Sequence, residues 1–290
     1  MELAIDRNPD AVQGAPPPRA GVYAVKGTTL YAEVRGQGPA VMLVGAADED
    51  AEMYRGIAER LPERTVVTYD RRGTLRSGRE DWPGGGSAQH ADDAAALLVA
   101  LGIDRAAVFG ASAGGIVALQ LALRYPSMVS QALVYEAGYF QHVSGGAEIM
   151  DRGRRAVEVH LANHPEDWPG AVAALGRSIA EGPHQTDTNL LAPPPGRDWF
   201  EDRGNLNAHS LVVGDLDLPS EVADLEGLRD SEVHIHFAYG TRSRPVFREI
   251  AETLAATRGA EAQAVVGAGH VAVYHPDLIA AFILEQLVAD

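Results

Sequence analysis

One serine stands in a setting that could make it a nucleophile. The run Phe109-Gly110-Ala111-Ser112-Ala113-Gly114-Gly115 contains Gly-x-Ser-x-Gly, with an apolar run before it and a helical pattern after it. A serine that projects from a tight strand-to-helix turn sits in a strained backbone. Small residues two positions to either side let strand and helix approach closely. Such a turn exposes the hydroxyl. It also aims the backbone N–H of Ala113, at the helix start, toward a developing negative charge. A serine hydroxyl is a weak nucleophile until a base takes its proton. Ten histidines compete for that role. His270, in Gly267-Ala268-Gly269-His270, lies in a glycine-rich loop between the last strand-like run and the final helical pattern. A carboxylate would complete the set by orienting the imidazole and stabilising its charged form.

The elements that must position these groups alternate. Strand-like runs are Val22–Val25, Thr29–Val34, Ala40–Val44, Val66–Tyr69, Ala107–Phe109, Ala132–Tyr135, Val233–Tyr239 and Ala262–Val266. Several are continuously apolar, as strands buried on both faces are. Helical patterns fall at Glu52–Leu61, Ala88–Leu101, Ile116–Tyr125, Pro245–Thr257 and Asp277–Val288. This order predicts an α/β fold with a mostly parallel sheet flanked by helices. Between Gly138 and Arg229 lie roughly ninety residues, too many for a structureless loop. A helical patch there, Met150–Ala162, and two apolar segments, Ala171–Ile179 and Ser210–Leu218, predict a helical cap or lid. The expected organisation is a flexible arm at 1–20, a core at 21–137 and 230–290, and the cap at 138–229.

These motifs resemble the α/β-hydrolase superfamily over about residues 21–137 and 232–290. Beside the elbow, Tyr69-Asp70-Arg71-Arg72-Gly73-Thr74-Leu75-Arg76-Ser77 is similar to that family's Asp-x-Arg-Gly-x-Gly-x-Ser loop. Ala88-Gln89-His90-Ala91-Asp92-Asp93 resembles the start of its helix before the elbow strand, and Gly267-Ala268-Gly269-His270 its Gly-x-Gly-His. The resemblance implies an α/β-hydrolase fold whose cap is inserted after the strand following the elbow helix. It makes Ser112 the nucleophile and His270 the base. It places a second oxyanion donor after Ala40–Val44, where this chain has Val44-Gly45-Ala46-Ala47 in place of the usual His-Gly. The N–H of Ala46 is the candidate there and Ala47 the fallback.

The acid departs from the common pattern. The loop after Val233–Tyr239 reads Gly240-Thr241-Arg242-Ser243-Arg244-Pro245, with no carboxylate. An arginine beside the imidazole would disfavour imidazolium, so Arg242 reads instead as a substrate contact. Some branches, haloalkane dehalogenases among them, carry the acid after the strand that follows the elbow helix. The corresponding residue is Glu136, whose rival roles are anchoring the cap or pairing with Arg242. Asp215 and Asp217 are weaker rivals for the acid, and Asp70 reads as a loop organiser. The other histidines read as packed or exposed. No His-Glu-x-x-His spacing supports zinc, and neither metal nor cofactor is expected.

Composition narrows the function. Asp+Glu 40 against Lys+Arg 24 gives a net charge of −16, which argues against nucleic acid or an anionic membrane surface as partner. The arginines at 71, 72, 76 and 79 read as a solvated loop. The absence of cysteine excludes thiol catalysis and disulfides and fits a cytoplasmic location. Met1–Ala20 lacks the apolar stretch of a secretory signal, and no run of about 18 apolar residues predicts a membrane span. The expectation is a serine-dependent enzyme acting on an ester or related acyl group of a small, largely apolar molecule. A homodimer is left open. The alternative is a non-hydrolytic member of the fold, performing cyclisation, elimination or C–C bond formation on a polyketide-like natural product. Serine rather than aspartate at the elbow argues against dehalogenase or epoxide-hydrolase chemistry.

Overall fold

The computed structural model describes residues 8–180 and 198–287. Its strands are β1 (Arg19–Val25), β2 (Thr28–Arg35), β3 (Ala40–Val44), β4 (Thr65–Tyr69), β5 (Ala106–Ala111), β6 (Val129–Tyr135), β7 (His234–Gly240) and β8 (Gln263–Val265). They form one sheet in the order β1-β2-β4-β3-β5-β6-β7-β8. The β1–β2 and β2–β4 pairings are antiparallel and the rest parallel. The helices are α1 (Arg55–Ala58), α2 (Gly86–Ala100), α3 (Ala113–Arg124), α4 (Gly146–Asn163), α5 (Trp168–Ala180), α6 (Asp198–Ser210), α7 (Leu225–Asp230), α8 (Pro245–Ala256) and α9 (Pro276–Leu287).

The apolar strands are buried on both faces, and their side chains alternate between two cores. Met42, Val44, Val108, Ala132 and Val134 pack with residues of α2, α3 and α8. Val41, Leu43, Phe109, Leu133 and Tyr135 pack with Ile57 of α1 and with Ile279, Phe282 and Ile283 of α9. The strand order reverses at β3: the chain leaves it for β4 on one side and reaches β5 on the other. At such a switch point the following loops diverge and open a crevice at the carboxyl ends of the strands. Ser112 follows β5 and the Gly45–Ala47 loop follows β3, so both border that crevice.

Helices α4 to α7 lie between β6 and β7, where the long insertion was expected. In the segment expected to be a flexible arm, the described residues 8–12 touch the core: Asn8 Nδ2 donates to the Glu52 carbonyl at 2.8 Å and Arg60 Nη1 to the Asp10 carbonyl at 2.9 Å. The arginine-rich loop, expected to be solvated, is so only in part: Arg79 is exposed and Arg76 partly so. Arg71 and Arg72 are buried, each forked onto a carboxylate, Asp215 and Asp93 respectively. The predicted helix at Glu52–Leu61 contracts to α1. Its first residues stand in turns, and the Asp50 carboxylate accepts the Glu52 N–H at 2.9 Å. No helix among the described residues is long and apolar enough to cross a membrane.

Candidate active site

Ser112 leaves β5 at φ 52° and ψ −119°, a left-handed conformation that non-glycine residues rarely adopt. Its neighbours explain how the turn closes. A Cβ on Gly110 would lie 2.1 Å from the Gly114 carbonyl oxygen, and one on Gly114 would lie 2.2 Å from that of Val44. Glycine at both positions lets the start of α3 press against β5 and the end of β3. The Ser112 N–H donates to the Tyr135 carbonyl at 3.0 Å, tying the turn to β6. Among the described residues the Ala113 N–H has no hydrogen-bond acceptor, as expected at a helix start.

Glu136 follows β6 just as Ser112 follows β5, because Ala111 and Tyr135 are paired in register. It too has a positive φ, 46°. Its side chain is buried and reaches the end of β7. Oε1 accepts the Gly240 N–H at 2.6 Å, and Oε2 lies 2.7 Å from His270 Nδ1. The carboxylate thus reaches the imidazole from the end of β6, while the loop after β7 carries no carboxylate. The adjacency of β6 and β7 makes that reach short. Two residues the sequence did not single out hold His270 further. The Tyr135 hydroxyl donates to the Gly269 carbonyl at 2.6 Å. Phe247 of α8 stacks on the imidazole at 3.9 Å between centroids and 16° between planes. Glycines around His270 pointed to a loop, but nothing in the sequence pointed to its aromatic partner. Neither Ser112 Oγ nor His270 Nε2 makes a hydrogen bond among the described residues. Such bonds are often formed only in the substrate complex.

The loop after β3 revises one expectation. The Ala46 N–H donates to Glu49 Oε2 at 2.8 Å, so it is already occupied. The same oxygen accepts the Tyr54 hydroxyl at 2.6 Å. Burial raises the Glu49 carboxyl to about 7, against the lowering effect of the Tyr54 and Ala46 bonds. The neighbouring Asp48 is raised as well, chiefly by desolvation. The fallback, Ala47, has an N–H without an acceptor among the described residues. Ala47 packs beside an apolar cluster from the insertion, centred on Val157, Ala171, Leu211 and Val212.

The remaining candidates separate. Arg242 is exposed, with its backbone N–H on the Ala268 carbonyl at 2.9 Å. Asp215 is buried on Arg71, and Asp217 is an exposed partner of Arg154, so neither replaces Glu136 at the imidazole. Asp70 organises its loop, accepting from Ala51 N at 2.9 Å and Arg76 Nε at 2.7 Å. His142 accepts the Ala223 N–H, and His209 packs between Trp82 and Trp168. His160 of α4 and His164, just past the end of that helix, lie with ring centroids 4.9 Å apart, and Asp167 is bonded to His160 at 2.8 Å. His184 falls outside the described residues. Among the described residues no group of three or more His, Asp or Glu is placed to hold a metal ion.

Comparison with known proteins bears on the fold. A family profile described as the alpha/beta hydrolase fold matches residues 39–138. An uncharacterised hydrolase of Bacillus subtilis, YraK, is 36% identical over 169 residues, 55% of this chain and 62% of that protein. RutD of Azorhizobium caulinodans, named as a candidate carbamate hydrolase, is 34% identical over 144 residues, 48% of this chain and 51% of that one. The chain thus spans less than two thirds of the length of these relatives. Among solved structures, a thermophilic esterase from Thermogutta terrifontis matches with a TM-score of 0.72 at 20% identity, over 93% of this chain and 98% of that one. An alpha/beta hydrolase from Sphaerobacter thermophilus matches at 0.71 and 24% identity, over 93% and 100%. Those two likenesses concern the fold. With the strand order and the family profile over residues 39–138, they show that the chain has the α/β-hydrolase fold.

Proposed function

We propose that the chain is a serine-dependent hydrolase acting on an ester or related acyl group of a small, largely apolar molecule. The observation that carries this reading is the 2.7 Å contact between His270 Nδ1 and the buried Glu136 carboxylate. That contact supports a tautomer in which Nδ1–H donates to the carboxylate and Nε2 acts as the base.

In this mechanism Ser112 Oγ attacks the acyl carbon and its proton passes to His270 Nε2. The carbonyl π electrons move to oxygen, which the N–H groups of Ala113 and Ala47 receive. Glu136 stabilises the imidazolium. Collapse of the intermediate breaks the bond to the leaving oxygen, which departs with the proton from His270. Water then attacks the acyl-serine, with His270 again taking the proton, and Ser112 is restored. The helices at 138–229 serve as the cap. Their cluster of Val157, Ala171, Leu211 and Val212 beside Ala47 supports an apolar acyl or alcohol group. The carbamate named for one relative is a related acyl group with the same carbonyl geometry.

The test is a panel of p-nitrophenyl esters of short acyl chains with the wild type and Ser112→Ala. The expected result is turnover by the wild type, stoichiometric labelling by a fluorophosphonate, and loss of both in the variant. Turnover retained by Ser112→Ala overturns the reading.

A further inference from the structure

The loop bearing the Ala47 donor is held by a group the reaction does not use. Arg71, 1% exposed, lies against the backbone of that loop. Its Nε donates to the Gly45 carbonyl at 3.2 Å, and its Nη2 donates to the Ala46 carbonyl at 2.8 Å and weakly to that of Ala47 at 3.4 Å. The other side of the guanidinium forks onto Asp215, with Nη1 to Oδ1 at 2.9 Å and Nη2 to Oδ2 at 2.6 Å. Asp215 ends a π-helical turn, Leu211–Asp215, within the insertion. Single π turns recur at functional sites. His90 of α2 approaches the same carboxylate at 3.5 Å.

We propose that Arg71, locked by Asp215 of the insertion, is the positioning residue that aims the oxyanion loop. The argument is one of peptide geometry. In a planar trans peptide the C=O and the following N–H point in opposite directions. Fixing the Ala46 carbonyl on Arg71 therefore turns the Ala47 N–H away from Arg71 and leaves it unpaired. The guanidinium suits this task because its planar fork can serve carbonyls and a carboxylate at once. A buried cation also needs a buried anion, and the insertion supplies it. Burial alone would raise the Asp215 carboxyl, but Arg71 and His90 outweigh it and hold the group below its ordinary value. A second tie acts further along the same loop. Asp50 receives Arg203 Nε at 3.0 Å, Arg203 Nη2 at 2.8 Å and Asn207 Nδ2 at 2.9 Å, all from α6. Both ties come from the insertion, which thereby sets the backbone that receives the oxyanion.

This inference rests on the hydrolytic reading of Ser112, and its test separates the two. Arg71→Met keeps bulk and removes every donor. The expected result is a loss of about 100-fold in kcat, the scale of one oxyanion donor, with KM changed less than threefold. Affinity for a trifluoromethyl ketone, which Ser112 would trap as an oxyanion, should fall in parallel. Arg71→Lys, which keeps the cation opposite Asp215, should recover part of both. All rates are expressed per site labelled by fluorophosphonate, so loss of folded protein does not mimic the effect. A purely structural Arg71 would lower Tm and the labelled fraction but leave kcat per labelled site and ketone affinity unchanged, which overturns the inference. If Arg71→Met does not fold, Arg71→Lys decides alone: wild-type kcat and ketone affinity per labelled site overturn the inference. Activity retained by Ser112→Ala would sink the hydrolytic reading. Loss of activity in Ser112→Ala with normal kcat in the Arg71 variants would sink this inference alone.

Discussion

The strand ends and the helical insertion meet at one crevice but are held by different forces. At the strand ends, backbone does the positioning. Ser112 and Glu136 follow residues paired in register, both carry positive φ, and both donate their N–H to a neighbouring strand or its edge. The insertion packs apolar side chains such as Ile149, Met150 and Phe200 into the cores and is tied in addition by buried charge. Asp215 reaches Arg71, Arg203 reaches Asp50, and Glu221 accepts from Ser87 N at 2.9 Å. Strand register tolerates the loss of a side chain. A buried ion pair does not tolerate losing one partner, because the other charge is left without compensation. Substitutions at the strand ends should therefore change chemistry more than stability, and substitutions at the ties should do the opposite first.

The largest effect is expected at Glu136. Its replacement by glutamine keeps the shape and removes the charge opposite His270. On the proposed mechanism, Glu136→Gln lowers kcat by about 10³- to 10⁴-fold, the scale of losing the orienting acid in a triad. Chemical denaturation should change little, since an amide oxygen can still accept the Gly240 N–H. A variant with full kcat would break the comparison on the strand side. A variant with wild-type Tm but negligible kcat would sharpen it.

Next in size is Asp50→Asn. Asp50 is fully buried and faces Arg203, which is buried as well. Removing the negative charge strands that guanidinium, which costs about 3–5 kcal/mol of stability, read as a lower urea midpoint at unchanged slope. A loss close to zero would mean that the insertion is held by its apolar contacts instead.

These two positions also mark what the sequence could and could not reveal. Elements of the core were readable because apolar runs, helical patterns and the Gly-x-Ser-x-Gly turn are local signals. Glu136 stood out through the resemblance alone, as the residue after the strand that follows the elbow helix. Arg71 was misread as solvated because its burial depends on Asp215, 144 residues away. Ala46 was chosen over Ala47 because no local pattern shows that the Glu49 side chain folds back onto the Ala46 N–H. Phe247 stacks on His270 from another helix, and a phenylalanine in an amphipathic helix carries no mark of that contact.

Glu49 gives the third prediction, a dependence on pH. Its carboxyl rises from an ordinary 4.5 to about 7 because it is buried. The folded chain then holds a proton that the unfolded chain releases between those values. Glu49 therefore contributes full stability below about 4.5, and that contribution declines as pH rises to about 7 and is lost above it. At 1.36 kcal/mol per unit the decline amounts to about 3 kcal/mol. Glu49→Gln should flatten this part of the stability curve and leave the variant more stable than wild type at pH 8. Parallel curves for the two proteins between pH 5 and 8 would show that Glu49 ionises freely.

The smallest effect is expected two residues from one of the largest ties. Asp217 pairs with Arg154 at 2.9 Å, as Asp215 pairs with Arg71, and both carboxylates belong to the same stretch of the insertion. The Asp217 side chain is 86% exposed and that of Asp215 is 3% exposed. Water screens the first pair and solvates either partner when the other is gone, so such a pair contributes at most about 1 kcal/mol. The second pair has no such refuge. Asp217→Asn should leave Tm and kcat within error of wild type, while Asp215→Asn lowers Tm and disturbs the oxyanion loop. Equal effects of the two substitutions would show that attachment depends on the charge of the segment as a whole. Unequal effects, in the stated order, would show that burial rather than charge count gives the ties their strength.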